Sequence, residues 1–246
     1  MRESVRRAMA PNEAEIAALP LGSNAKAAAE LLGGGGGQAL DVGCGEGKFT
    51  RSLVGRFQGV HGVDVKEKQI AAAKATATLE GVDVDFRVAS GEALPFADGF
   101  FDLVVFSNSL HHMPNVEIAL REASRVLRPG GLLYIMEPVP SGNYHEATVL
   151  VNDETDVRTK AYEAVERLAG AGFSALSETM YKSTRDFADF EDWKADQIDR
   201  DVTRKALFDA RPDEVRGRFE GRADKSGGRL SFTQVFRVNL LRKAEA

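Results

Sequence analysis

Cysteine is nearly absent: Cys44 is the only one in 246 residues, so the chain can form no internal disulfide and no thiolate-built zinc site. Long apolar runs are missing too, and nothing approaches the roughly 18–20 residues that a membrane-spanning helix needs. Positive charge is not in excess. The net charge of −5 has the wrong sign for a protein whose affinity comes from neutralising phosphates, which lowers the expectation of a nucleic-acid partner. The opening Met-Arg-Glu-Ser-Val-Arg-Arg has charges but no apolar segment behind them, so it reads as no secretory signal, and a soluble cytoplasmic protein is expected. There is no internal repeat and no Pro- or Ser-rich linker. With 43% hydrophobic and 28% charged residues, the chain can bury a full core without metal or disulfide support.

From Gln38 onward, short apolar runs alternate with helical patterns. Residues 11–36 read as a helical approach, capped by Ser23 or Asn24 and ended by the glycine run Gly33 to Gly37. Strands are expected at Ala39–Val42, Gly59–Val65, Val82–Val88, Phe101–Phe106 and Leu132–Met136. Helices are expected at Lys48–Arg56, Lys68–Leu79 and Val116–Val126, the last ended by Pro129-Gly130-Gly131. Helix, strand, helices and a final strand then follow at Glu154–Ala169, Phe173–Lys182, Asp186–Phe219 and Leu230–Leu241. This alternation predicts an α/β fold: a doubly wound, mostly parallel, seven-stranded Rossmann-like sheet with a helical insertion before the last strand. We read residues 1–246 as a single domain, with a cofactor-binding core over 38–138 and an insertion over about 186–225. Phe190, Trp193, Phe208 and Phe219 in that insertion read equally as a lid over a substrate or as the core of a packed helical layer.

The most informative stretch is Leu40-Asp41-Val42-Gly43-Cys44-Gly45-Glu46-Gly47-Lys48, between a strand and a helix. Its glycines permit a tight turn and close approach of a ligand to the backbone. In a dinucleotide-binding loop the third glycine would fall where Lys48 stands. Asp41 and Glu46 add negative charge where a pyrophosphate would otherwise dock, so the loop suits an adenosine-bearing ligand with a cationic amino-acid tail. Asp64 lies 21 residues beyond Gly43, the spacing at which an acid pairs with ribose hydroxyls; the alternative is an acid capping the next helix.

Asp41-x-Gly43-x-Gly45-x-Gly47 followed by Gly62-Val63-Asp64 resembles the class I S-adenosylmethionine-dependent methyltransferases. Glu92-Ala93-Leu94-Pro95-Phe96, Phe101-Asp102-Leu103-Val104-Val105 leading to Leu110-His111-His112, and Arg125 to Gly131 resemble the small-molecule branch that includes the ubiquinone and menaquinone biosynthesis enzymes. The resemblance covers residues 38 to 138. It implies that Gly43, Gly45 and Gly47 present backbone to the methionine part of S-adenosylmethionine, with Asp41 near its ammonium. It further implies that Asp64 holds the ribose, Val65 packs on the adenine, and Ser90, Gly91 and Glu92 lie beside the adenine amino group. Ser107 would stand beside the sulfonium. Ser90 occupies a position where many relatives carry Asp, a hydroxyl in place of a charge.

Methyl transfer from a sulfonium needs alignment and exclusion of water more than a protein nucleophile, and a base only if the acceptor must lose a proton. The candidate catalytic residues are His111 and His112 past the fourth strand, and Tyr144 and His145 in the loop past the fifth. Each has a structural alternative, the histidines as turn stabilisers before Pro114. Glu137 reads as orienting or structural, His61 as structural, and Cys44 as a small residue in a crowded turn. No metal is expected. The resulting expectation is methyl transfer to O, N or C of a small-molecule acceptor. The competing readings are an RNA or protein methyltransferase, a non-catalytic S-adenosylmethionine-binding module, and a nicotinamide oxidoreductase. Phe106-Ser107-Asn108-Ser109 stands where DNA amino-methylating enzymes carry an Asn/Asp-Pro-Pro-aromatic motif.

Overall fold

The computed structural model describes residues 11–33 and 36–245. The reading of the first seven residues, and Gly34 and Gly35 of the glycine run, lie outside the described residues. Among those described, no helix is long and apolar enough to cross a membrane.

The chain divides into two compact units. The larger comprises Ser23–Glu137, Lys160–Thr179 and Arg237–Ala246. Its elements begin with α2 (Asn24–Leu31), which follows α1 (Glu13–Ala18) of the smaller unit. They continue through β1 (Gln38–Val42), α3 (Lys48–Arg51), β2 (Gly59–Asp64), α4 (Glu67–Glu80), β3 (Asp85–Val88), β4 (Phe101–Ser107), α5 (Val116–Val126) and β5 (Leu127–Pro138). Further along the chain come α6 (Asn143–Thr148), α7 (Thr155–Leu168), β6 (Phe173–Phe187), α8 (Phe190–Arg200), α9 (Lys205–Ala210), α10 (Pro212–Arg222) and β7 (Leu230–Lys243). The seven strands form one sheet in the order β3-β2-β1-β4-β5-β7-β6.

Strands β1 to β5 pair in parallel, with Leu40 opposite His61 on one side and Val104 on the other. The order reverses between β1 and β4. In an open parallel sheet, that reversal leaves a crevice at the strands' carboxyl ends where ligands bind. The inner strands are continuous apolar runs because helices cover both faces; Leu40, Val42, Val104 and Phe106 are fully buried. Helix α5 explains its own boundaries: the Asn115 side chain accepts from the Ile118 N–H, and Ala119, Leu120, Ala123 and Val126 form one buried stripe. From its last turn Arg125 donates to the Phe96 and Leu94 carbonyls, each at 2.8–2.9 Å, fastening the loop before β4.

Several expected boundaries shift. The helix from Lys48 stops at Arg51, where i to i+3 bonds tighten the chain toward Gly55 at φ +81°. The third strand starts at Asp85 because Val82 is used as a helix cap, its N–H bonding the Ala77 carbonyl beyond the left-handed Gly81. Pro129-Gly130-Gly131 lies within β5, where the register jumps from Phe101↔Leu127 to Leu103↔Leu132 and accommodates the extra residues. The segment with Tyr144 and His145 is helix α6, not loop.

The smaller unit contains residues up to Gly22, Pro138–Thr159 and Met180–Phe236. Its core is aromatic. Phe190, Trp193, Phe208 and Phe219 are buried together with Tyr144, Phe187 and Phe232, and the Trp193 and Phe219 rings stack at 4.4 Å. Burial of four aromatics in one cluster accounts for the cohesion of helices otherwise rich in charge.

Candidate functional site

The glycine loop leaves β1 at the sheet's reversal. Gly43, Gly45 and Gly47 all have positive φ, at 72°, 53° and 72°. The Gly43 and Cys44 N–H groups donate to the Val63 carbonyl at 2.8 and 2.9 Å, so the loop is tied to β2. Beneath it Asp41 is fully buried. One carboxylate oxygen, Oδ2, accepts from the Thr50 hydroxyl at 2.6 Å; the other, Oδ1, has no hydrogen-bond partner among the described residues. Burial pushes the Asp41 pKa up to about 7, opposed by the Thr50 hydrogen bond and aided by nearby Asp64. The Cys44 thiol is held well above its usual range by burial and by the charges of Asp41 and Asp64, so it is unsuited to act as a nucleophile.

Asp64 ends β2 and fastens the neighbouring turns. Its Oδ2 accepts from the Gly45 N–H and its Oδ1 from the Lys66 N–H, both at 2.9 Å. Each oxygen keeps a further lone pair, so holding the loop and accepting from a ligand are compatible. Val65 beside it is 63% exposed, an apolar side chain left uncovered at the crevice end of a strand. Across β3, the Ser90 hydroxyl accepts from the Glu92 N–H at 3.1 Å, and Gly91 is buried against Val42 and Met113. Glu92 in turn accepts from the Asn115 N–H at the start of α5. Asp41, the three glycines, Asp64, Val65, Ser90, Gly91, Glu92 and Ser107 thus all belong to one unit, at the carboxyl ends of β1 to β4.

Ser107 has a partner that sequence reasoning treated only as a cap. Asn24, first residue of α2, donates from Nδ2 to the Ser107 hydroxyl at 2.6 Å and accepts from the Tyr134 hydroxyl at 2.6 Å. The Tyr134 ring is fully buried and stacks on Phe49 of α3 at 5.9 Å. No local pattern flags Asn24, because Ser107 and Tyr134 are 83 and 110 residues away.

The two histidines differ in environment. His111 is buried and hydrogen-bonds Glu137 through Nδ1, whereas His112 is exposed. Glu137 is itself fixed: its Oε1 accepts from the Ser109 and Leu110 N–H groups at 3.1 and 2.7 Å. His111→Ala would leave a buried carboxylate short of a partner, and is expected to destabilise the fold by about 2–3 kcal/mol. The His112→Ala variant, at an exposed residue whose ring lies 3.9 Å from that of His111, is expected to cost clearly less than His111→Ala. Urea titrations of the two variants check this; equal shifts would refute the assignment.

Tyr144 and His145 belong to the smaller unit. The Tyr144 hydroxyl accepts from Gln197 Nε2 at 3.2 Å under the Arg185 guanidinium, and burial raises its pKa, which disfavours the phenolate. His145 sits 3.3 Å from the Thr155 hydroxyl through Nε2, and burial followed by the charge of Arg158 lowers its pKa. His61, inside β2, is held between Asp85 and Gln38 at 3.1 and 3.0 Å.

Residues 40–135 match the family described as a methyltransferase domain. Over 114 residues the chain is 40% identical to the 27-O-demethylrifamycin SV methyltransferase of Amycolatopsis mediterranei, covering 44% of this chain and 42% of that protein. Over 96 residues it is 34% identical to the ubiquinone biosynthesis O-methyltransferase of Sinorhizobium fredii, covering 39% of each. The matches therefore span well under half the length of these relatives. The crystal structure of BH2331 from Bacillus halodurans superposes over 91% of this chain and all of its own, with TM-score 0.66 and 23% identity, and shares its fold.

Proposed function

We propose that the chain, whose residues 40–135 match the methyltransferase domain family, binds S-adenosylmethionine at the glycine loop and methylates a small-molecule acceptor. One observation carries this reading: a buried carboxylate with an unpartnered oxygen lies beneath a loop whose Gly45 faces open space. A buried carboxylate needs a compensating charge or a proton. A ligand whose tail ends in an ammonium group supplies that charge, and a pyrophosphate would add to the repulsion.

In this reading Gly43, Gly45 and Gly47 offer backbone to the amino-acid tail and Asp41 its counter-charge. Asp64 accepts from the ribose hydroxyls and the exposed Val65 covers one adenine face. Ser90, Gly91 and Glu92 border the adenine edge, and Ser107 the methionine part. When bound, S-adenosylmethionine supplies a methyl group on a positively charged sulfur, already activated for displacement. The chain's own part is to hold the two reactants in line and dry. The relatives' names, a ubiquinone biosynthesis O-methyltransferase and a 27-O-demethylrifamycin SV methyltransferase, favour an oxygen acceptor over nitrogen or carbon. Among the base candidates, His111 has a carboxylate, Glu137, to orient its ring. Burial keeps Tyr144 a protonated phenol and disfavours a protonated His145, which works against either of them taking a proton from the acceptor.

Calorimetric titration with S-adenosylhomocysteine and, separately, NAD tests the reading. Binding of the first and not the second is expected. Asp64→Ala is expected to weaken that binding by about 1–3 kcal/mol, the worth of hydrogen bonds to a charged acceptor. Preference for NAD, or unchanged affinity in the variant, would overturn the assignment.

A further inference from the structure

Resting on the reading above, we propose that Asn24 is a positioning residue which turns Ser107 into a hydrogen-bond donor toward the carboxylate of the cofactor's amino-acid tail. The Tyr134 hydroxyl donates to Asn24 Oδ1 at 2.6 Å, which fixes the amide so that its NH₂ end faces Ser107. That NH₂ donates to Ser107 Oγ at 2.6 Å and takes one of the serine oxygen's two lone pairs. A hydroxyl carries one proton, and with its oxygen accepting from Asn24 that proton must point elsewhere. Ser107 is the last residue of β4 and only partly buried, at the sheet's crevice edge. The group it meets there must accept a hydrogen bond. Of the two ends of an amino-acid tail, only the carboxylate can take that proton, the ammonium being a donor alone, so the relay favours the carboxylate.

Three features hold the relay in place. Tyr134 is fully buried in β5 and stacked on Phe49, so its hydroxyl has a fixed position. Asn24 is set by the start of α2, where the Ser23 side chain accepts from the Lys26 N–H at 3.2 Å. The backbone beyond Ser107 is pinned as well, with the Asn108 N–H donating to the Met136 carbonyl at 2.7 Å. Asp41 and Ser107 then act on opposite ends of one tail: the acid takes the cation and the hydroxyl takes the anion. This division explains why a neutral serine stands at the end of β4.

The test compares S-adenosylhomocysteine with its analogue lacking only the carboxylate, by calorimetry at one pH. The parent chain is expected to prefer the carboxylate-bearing ligand by about tenfold, one charge-assisted hydrogen bond. Asn24→Asp presents acceptors to Ser107 and draws its proton inward, so the preference is expected to vanish while the analogue binds as before. Tyr134→Phe frees the amide to turn without changing any charge, and is expected to lower the preference severalfold. In the Asn24→Ala and Ser107→Ala pair, the double variant is expected to lose no more preference than Ser107→Ala alone. Thermal melts show that each variant is folded, and the ratio of two affinities is insensitive to a general loss of stability. Retention of the preference in Asn24→Asp, or additive losses in the double variant, would overturn the relay while leaving the cofactor assignment standing. Binding of neither ligand by the parent chain would instead overturn the cofactor assignment itself.

Discussion

Asp41→Asn is expected to make the chain more stable at alkaline pH and nearly unable to bind its cofactor. Both effects come from one buried charge. In the unfolded chain Asp41 gives up its proton near pH 3.8; in the folded chain burial holds it until about pH 7. Between these values the folded state binds the extra proton, so protonation favours folding there. The stability linked to this group is fully present below about pH 4 and is lost as pH rises through about 7. The loss is of order 4 kcal/mol, from about three units at 1.36 kcal/mol each. Asparagine has no such proton. Its oxygen can still accept from Thr50, while its NH₂ replaces the unpartnered Oδ1. The stability of the variant relative to the parent is therefore expected to rise from about pH 4 to about pH 7 and then to level off, in the absence of ligand. Urea titrations across that range measure it, and a difference that does not change with pH would refute the buried charge.

The cost falls on binding. A ligand ammonium that loses a buried counter-ion is expected to bind about 2–5 kcal/mol more weakly, the usual result of removing one member of a desolvated pair. In the parent, binding must displace the Asp41 proton below pH 7, so affinity is expected to fall by about tenfold per pH unit there; in Asp41→Asn the same plot is expected to be flat. A parent profile without this slope would place the ammonium away from Asp41. The same carboxylate thus burdens the fold and serves the site, as expected for a group kept for its ligand.

Much of this was legible in the sequence, and the reasons are local. Strands β1 and β4 show as apolar runs because helices bury both their faces, and the spacing from Gly43 to Asp64 is fixed by one turn, one short helix and one strand. What was not legible depends on distant residues. Nothing near Asn24 distinguishes a helix-starting asparagine from one that bridges Ser107 and Tyr134, since both partners arrive only when β4 and β5 pair. The difference between His111 and His112 likewise depends on Glu137, 26 residues on. Tyr144 and His145 were read as loop because α6 carries no side-chain cap and follows Gly142 at φ +88°, a start without the usual signature. In the helical region composition left a lid and a packed layer equally open, and Phe190, Trp193, Phe208 and Phe219 lie together in one buried cluster that only the folded chain assembles.

The loop glycines offer the sharpest separation of folding from binding. Gly47→Ala is expected to damage the fold itself. A methyl group there would come within 2.4 Å of Phe86 Cζ and 3.3 Å of the Ala73 Cβ, and the backbone φ of +72° is unfavourable for any side chain. Phe86 cannot move aside, because it is buried against Ile70, Ala73 and Ala77 of α4. Overpacking and left-handed strain together are expected to cost about 3–5 kcal/mol, a fall in melting temperature of roughly 6–20 °C. Gly45→Ala shares the left-handed backbone, with φ +53°, but its methyl meets nothing within 4 Å. Only the backbone term of about 1–2 kcal/mol then applies to the ligand-free chain. That empty space is where a bound tail must lie if the glycine loop holds it, so the methyl group is expected to occupy the ligand's volume. Melting curves with and without saturating S-adenosylhomocysteine distinguish the two cases. Gly47→Ala is expected to melt far below the parent in both conditions. Gly45→Ala is expected to melt close to the parent alone and to lose the increment that the ligand gives, about 2.7 kcal/mol at a hundredfold excess over Kd. A full ligand increment in Gly45→Ala would mean that the tail passes elsewhere, because a side chain cannot share its volume with a ligand held against the same backbone.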